Sequence, residues 1–142
     1  EIDDTEATLY EAAGAAWQLL AHIAADVRRG EPSRTTDSIH EVQDYLRANL
    51  ASPLSVPELA RMTRLSTSHF SALFRSATGM AVTEYLKRLR SARARELLIT
   101  TSMPISDLAK RVGYDDAFYF SRQFRSVNGV SPREFRRRAL ES

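Results

Sequence analysis

The chain has 142 residues, enough for one ordinary domain or two small ones, each with its own core; 43% are hydrophobic and 27% charged, as in a water-soluble globular protein. There is no cysteine, and the three histidines (His22, His40 and His69) sit on separate segments, which excludes thiol catalysis, disulfides and cysteine–zinc sites and disfavours a histidine-rich metal cage. No apolar run approaches the ~18 residues of a membrane span and no signal peptide opens the chain, so the expectation is a cytoplasmic module without membrane contact, metal or cofactor.

The net charge of +2 hides an asymmetry. Residues 1–36 carry three arginines against seven acids, whereas residues 37–142 carry 17 basic residues against 11 acids. Only Lys87 and Lys110 are lysine, so the basic segment is dominated by arginine. Arginine grips guanine and phosphate with a fixed fork, which points toward nucleic acid. Arginine on solvated faces is the competing explanation. The chain starts at Glu1 and not at methionine, which suggests a fragment or a processed product.

Helical spacing recurs throughout and strand-like alternation does not, so the chain reads as all-α. A first helix runs from about Asp4 to Arg29 and stops at Gly30. In it Leu9, Ala13, Ala16, Leu20, Ile23 and Val27 recur at spacings of 4, 3, 4, 3 and 4, the seam of a short coiled coil, widened by Trp17, Leu19 and Ala24. Residues 31–36 read as a linker. The next helix, about 37–49, is expected to bury Ile39, Val42, Tyr45 (or Leu46) and Leu50. Ser55-Val-Pro-Glu58 is a capping box opening a short helix through about Met62. A longer helix begins at Ser66 and ends at Gly79, and a long linking helix covers about 82–100. Helices near 105–112, 116–128 and 132–139 complete the chain, the last with Pro132 at its first position.

The second half repeats the first. Val56-x-x-Leu59-Ala60 matches Ile105-x-x-Leu108-Ala109 at an offset of 49, and Phe70-Ser71-x-x-Phe74-Arg75 matches Phe120-Ser121-x-x-Phe124-Arg125 at 50. Gly79 maps to Gly129, Glu84 to Glu134 and Tyr85 to Phe135 at the same 50. Two copies are too few for a solenoid, so two subdomains (about 37–81 and 101–140) joined by the linking helix is the economical arrangement.

Each copy joins a short helix to a longer one across a tight turn, Met62 to Ser66 and Arg111 to Asp116, the pattern of a helix-turn-helix. In the first, Phe70, Leu73, Phe74 and Ala77 should face inward, leaving Thr67, Ser68, Ser71, Ala72 and Arg75 outward. In the second, Phe120, Phe124 and Val127 should be core, leaving Ala117, Phe118, Ser121, Arg122 and Arg125 outward. Small or hydrogen-bonding outer faces with arginines suit a major groove; ordinary solvated faces are the alternative. The 18 residues from Val82 to Ile99 span about 27 Å as a helix. With the width of the subdomains, that puts the two longer helices roughly one DNA turn, about 34 Å, apart. Lys87, Arg88, Arg90, Arg93 and Arg95 on the linking helix are weaker candidates for phosphate contacts.

Residues from about 37 to 139 closely resemble the DNA-binding domain of AraC/XylS-type transcription regulators. The stretch from Ile105 through Gly113-Tyr114 and Tyr119-Phe120-Ser121-Arg122 to Arg125 carries the likeness, with Gly129-Val-Ser-Pro132 and Phe135-Arg136. Tyr85-Leu86, Arg90, Ala94 (or Ala92) and Leu97-Leu98 resemble the family's linking helix. The resemblance implies two helix-turn-helix subdomains, binding to double-stranded promoter DNA, and recruitment of RNA polymerase by an activator. It assigns base reading to Ser68, Ser71 and Ala72 in the first copy and to Ala117, Phe118, Ser121 and Arg122 in the second. Several residues depart from the family pattern: Ala72 replaces a frequent arginine, Arg64 a turn glycine, Ala81-Val82 the Ser-Pro kept as Ser131-Pro132, and Phe118 a small or polar residue. Phe118 either touches a thymine methyl or packs on its own subdomain. In this family the segment before the domain ends an effector-binding, dimerising domain. The first helix is therefore expected to make a homodimer contact, or else to pack on missing sequence, with the effector bound upstream of Glu1.

Two other functions compete with a sequence-specific regulator. The alternative is a helical protein–protein adaptor without specific DNA binding, in which the repeat surface binds another protein; tight, salt-sensitive binding to duplex DNA separates the two. An enzyme does not fit, because no nucleophile with a base, metal cluster or phosphate-cradling glycine loop is present.

Overall fold

The computed structural model describes residues 34–142, together with residues 13, 14, 16–18, 20, 21 and 24, which are helical. Helices α1 (Arg34–Ala48), α2 (Val56–Met62), α3 (Thr67–Thr78), α4 (Val82–Thr100), α5 (Ile105–Arg111), α6 (Ala117–Asn128) and α7 (Pro132–Leu140) follow, and no strand occurs among the described residues. Helix α1 begins inside the segment expected to be linker, because nothing in Arg34-Thr-Thr36 breaks a helix that Asp37 favours in its first turn. Its buried face is Ile39, Val42 and Leu46; Tyr45 is exposed.

Local chemistry sets the helix ends. Ser55 Oγ accepts from the Glu58 amide at 3.4 Å, and Ser66 Oγ from that of His69 at 3.2 Å. Asp116 accepts from the amides of Phe118 and Tyr119 at 2.7 and 3.1 Å, and Ser131 from that of Glu134 at 3.2 Å. Such caps contribute about 1 kcal/mol each. Gly79 and Gly129 close α3 and α6 at φ of +80° and +79°, each donating its amide to the carbonyl of an arginine four residues back, at 2.8 Å.

The described chain divides into two compact units. One takes the residues through Tyr45 together with Ser55–Val82; the other takes Leu46–Leu54 and Thr83–Ser142. From Thr83 onward the linking helix therefore packs with the second unit. Its apolar stripe explains this: Ala94, Leu97 and Leu98 enter the second unit's core beside Leu108, Phe120 and Phe124, while Ala92 stays exposed.

In the first unit α2 packs on α3, burying Leu59, Ala60, Phe70, Leu73 and Phe74. In the second, α5 packs on α6 and α6 on α7. The paired rings repeat closely: Phe70 and Phe74 lie 5.8 Å apart at 52°, Phe120 and Phe124 5.9 Å apart at 53°. Truncating one such fully buried phenylalanine to alanine costs about 3–5 kcal/mol. Ala77, expected in the core, is exposed, and Val127 is half-buried at its margin. Both lie in the last turn of their helix, where the helical stripe runs out.

The helix-turn-helix turns differ in their chemistry. Gly113 holds φ of +99°, whereas Arg64, at the equivalent place, adopts the left-handed φ of +58° as a non-glycine residue. The second turn is also crowded. A Cβ on Gly113 would lie 2.9 Å from Ala51 Cα and 2.9 Å from both Cζ and Nε of Arg90.

Candidate nucleic-acid interface

Each longer helix buries its phenylalanines and thereby fixes which side chains face out. On α3, Thr67, Ser68, Ser71 and Arg75 are exposed, and Ala72 is half-buried. On α6, Phe118, Arg122 and Arg125 are exposed, and Ser121 is half-buried. Ala117, expected to face outward, is half-buried and packs against the hydrophobic core of its unit. Phe118 is 85% exposed, so of the two readings open to it, packing on its own subdomain is the one the structure removes.

Part of the basic charge of α4 and α7 is paired with glutamates. On α4, Glu84 binds Lys87 at 2.9 Å and Arg88 at 3.2 Å, and Arg93 binds Glu96 at 2.6 Å. On α7, Glu134 binds Arg137 at 2.6 Å and Arg138 at 2.9 Å. The guanidinium of Arg137, then that of Arg138, pulls the Glu134 carboxyl down to about 2. Glu84 is likewise lowered, chiefly by Lys87. Arg75, Arg122 and Arg125 make no salt bridge among the described residues. Arg75, Arg122 and Arg125 thus offer uncompensated cationic charge to a polyanion, beside small and hydroxylic residues on α3 and beside the exposed rings of Phe118 and Tyr119 on α6.

Arg90 has a structural task. Its Nε donates to the Leu50 carbonyl at 2.7 Å and its Nη2 to that of Ser52 at 2.9 Å, closing the chain just past the end of α1. Arg136 does the same beyond α4, donating to the carbonyls of Leu98 at 3.2 Å and Met103 at 2.7 Å. Cations at helix C-termini satisfy carbonyls that have no intrahelical partner. Arg95 reaches Asn128 Oδ1 at 3.4 Å. The five basic residues of the linking helix are therefore engaged within the protein.

Tyr119 was not among the candidate DNA-contacting residues of the sequence. It is 47% exposed beside Arg122, whose guanidinium stands 5.8 Å from its ring centre. The i, i+3 spacing of an aromatic and an arginine on one helix was the available signal. Among the described residues no group of three or more His, Asp or Glu side chains could hold a metal ion, and no helix is long and apolar enough to cross a membrane. Of the coiled-coil seam, Ala13, Ala16 and Leu20 are exposed; Leu9, Ile23 and Val27 lie outside the described residues.

Comparison with known proteins places this arrangement. A family model described as a helix-turn-helix domain matches residues 59–138. The arabinose operon regulatory protein of Escherichia coli (strain K12) is 39% identical over 99 residues, covering 69% of this chain and 34% of that protein. The chain thus spans about a third of the length of the curated relatives it matches. Among solved structures, the DNA-binding domain of AdpA in complex with a target DNA superposes with a TM-score of 0.66 at 30% identity, covering 69% of this chain and 88% of that one. A transcriptional regulator of Chromobacterium violaceum, described by its AraC-type DNA-binding domain, gives a TM-score of 0.68 at 28% identity over 76% of this chain and 96% of that one.

Proposed function

Because the chain belongs to the AraC/XylS-type family of helix-turn-helix, DNA-binding transcription regulators, we propose that α3 and α6 are its two recognition helices, each entering one of two successive major grooves. The observation that carries this is the placement of Arg75, Arg122 and Arg125: exposed and without salt-bridge partners among the described residues, they stand on the outer faces of the two repeated helices, opposite the buried phenylalanine pairs. On this reading Arg122 forks to a guanine, Phe118 meets a thymine methyl, and Thr67, Ser68 and Ser71 offer hydroxyls to bases or phosphates. Arg75 and Arg125, a full turn further on, hold phosphates. The two readers are chemically unlike, so the site is asymmetric and needs no palindrome.

The wider role extends the same reading. The protein acts without catalysis in the cytoplasm, activating promoters by recruiting RNA polymerase. The N-terminal helix pairs with that of a second copy through the seam containing Ala13, Ala16 and Leu20, and an effector binds sequence preceding Glu1. Family membership supports the regulatory role, and the exposure of those three seam residues supports the dimer. Sedimentation of the 142-residue chain should then show concentration-dependent dimers; a monomer at high concentration removes the dimer alone.

The decisive experiment selects duplexes from a randomised pool and compares variants on the selected site. Arg122→Ala should cost about 1–3 kcal/mol there and relax the preference at one base pair. Arg125→Ala should weaken all duplexes alike and reduce the salt slope by about one. Inserting 5 bp between the two halves of the site should reduce affinity about tenfold or more, since one reader must let go. Equal affinity for the native and inserted sites leaves only one reader.

A further inference from the structure

Arg122 does not stand alone on α6. Its guanidinium is 5.8 Å from the centre of the Tyr119 ring. Tyr119 in turn lies 5.8 Å from Tyr114 at 60°, and Tyr114 is only 8% exposed. The Arg90 guanidinium stands 5.1 Å from the Tyr114 ring centre, held by its two carbonyl acceptors, Leu50 and Ser52. All four side chains line one open cleft of about 690 Å³. They form a column, cation, ring, ring, cation, running from a pinned arginine outward to the exposed one.

The repeat supplies an internal comparison. At the offset of 50, Tyr119 corresponds to His69 and Arg122 to Ala72, so the first copy lacks both the arginine and its tyrosine. A free arginine carries substantial rotamer entropy that must be surrendered when it forks to a base. An arginine already resting on a fixed ring has lost part of it beforehand, and its planar fork is held in fewer orientations.

We propose that Tyr119 is a positioning residue for Arg122, and that its ring, braced through Tyr114 and Arg90, sets how sharply the protein discriminates at the base pair Arg122 reads. This rests on Arg122 being a base reader, and the test separates the two. The full chain is titrated with a duplex it selects from a randomised pool, with single-base-pair variants of that duplex, and with a scrambled one. Arg122→Ala should reduce discrimination at one base pair by about fivefold or more. Tyr119→Leu should reduce discrimination at that same pair by about two- to fivefold, the range expected for an exposed cation–ring contact, while leaving scrambled binding unchanged. Tyr119→Phe, which keeps the ring, should retain the discrimination, and Tyr119→Leu should add nothing in an Arg122→Ala background. Tyr119→Ala replaces the leucine variant if circular dichroism shows that one unfolded. If Arg122→Ala matters and removing the ring does not, the positioning role is overturned and the base reader stands. Equal weakening of all duplexes by Tyr119→Leu overturns it in the same way. If Arg122→Ala leaves discrimination intact, the base reader and the positioning role fall together.

Discussion

Replacing Gly113 by alanine should damage the second unit far more than the same change at Gly129. Both glycines have positive φ, +99° and +79°, which for an L-residue costs about 1–2 kcal/mol. Around Gly129 a Cβ meets nothing within 4 Å, so that conformational cost is the whole effect. At Gly113 the new Cβ would sit 2.9 Å from Ala51 Cα, a backbone atom that cannot swing away, and 2.9 Å from the Arg90 guanidinium. Arg90 can retreat only by weakening its hydrogen bonds to Leu50 and Ser52, at 2.7 and 2.9 Å. A charge-assisted bond contributes about 1.5–3 kcal/mol, less where water competes, so losing one brings the total to about 2–4 kcal/mol. Urea unfolding followed by circular dichroism measures the difference between the two variants, and amide exchange at Phe120 and Phe124 assigns it to the second unit. If Gly113→Ala costs no more than Gly129→Ala, the close approach of Ala51 and Arg90 has no energetic weight and the reasoning fails.

Arg64→Gly should act in the opposite sense: releasing a non-glycine residue from φ of +58° recovers about 1–2 kcal/mol, offset by about 0.4–1 kcal/mol of added unfolded-chain entropy. A net gain of about 0.5–1 kcal/mol in the same urea assay is expected, and a loss contradicts it. Glu134 should titrate near 2 in carboxyl-resolved NMR, against an ordinary value of 4.5. Because its folded value is depressed, its stabilisation of α7 is complete above about 4.5 and is lost as pH falls toward about 2. Replacing Arg137 and Arg138 with glutamine should return the midpoint toward 4.5, and a midpoint unmoved by that pair assigns the shift elsewhere.

What the amino-acid order determines by itself is whatever depends on neighbours within a turn or two. Ser55, Ser66 and Ser131 cap the helices that follow because each side chain meets an amide three residues on. Helical periodicity put Phe70, Phe74, Phe120 and Phe124 inside, and so turned Ser68, Ser71, Arg122 and Arg125 away from the core. The internal repeat supplied the pairing of the two copies without any coordinates. Only the tertiary structure decided matters that join distant segments. Arg90, read in sequence as a weak phosphate candidate, is held by carbonyls 38 and 40 residues away, and no local pattern announces a contact of that separation. Ala77, expected inside, is exposed and Ala117, expected outside, is half-buried, because burial at a helix end depends on the neighbouring segments and not on periodicity alone. Gly113 was legible as a turn residue from its type, yet its steric necessity arises from Ala51, a residue of another segment entirely. Charge shows the same division: composition counts the arginines, but only the folded chain tells which have a carboxylate beside them and which do not.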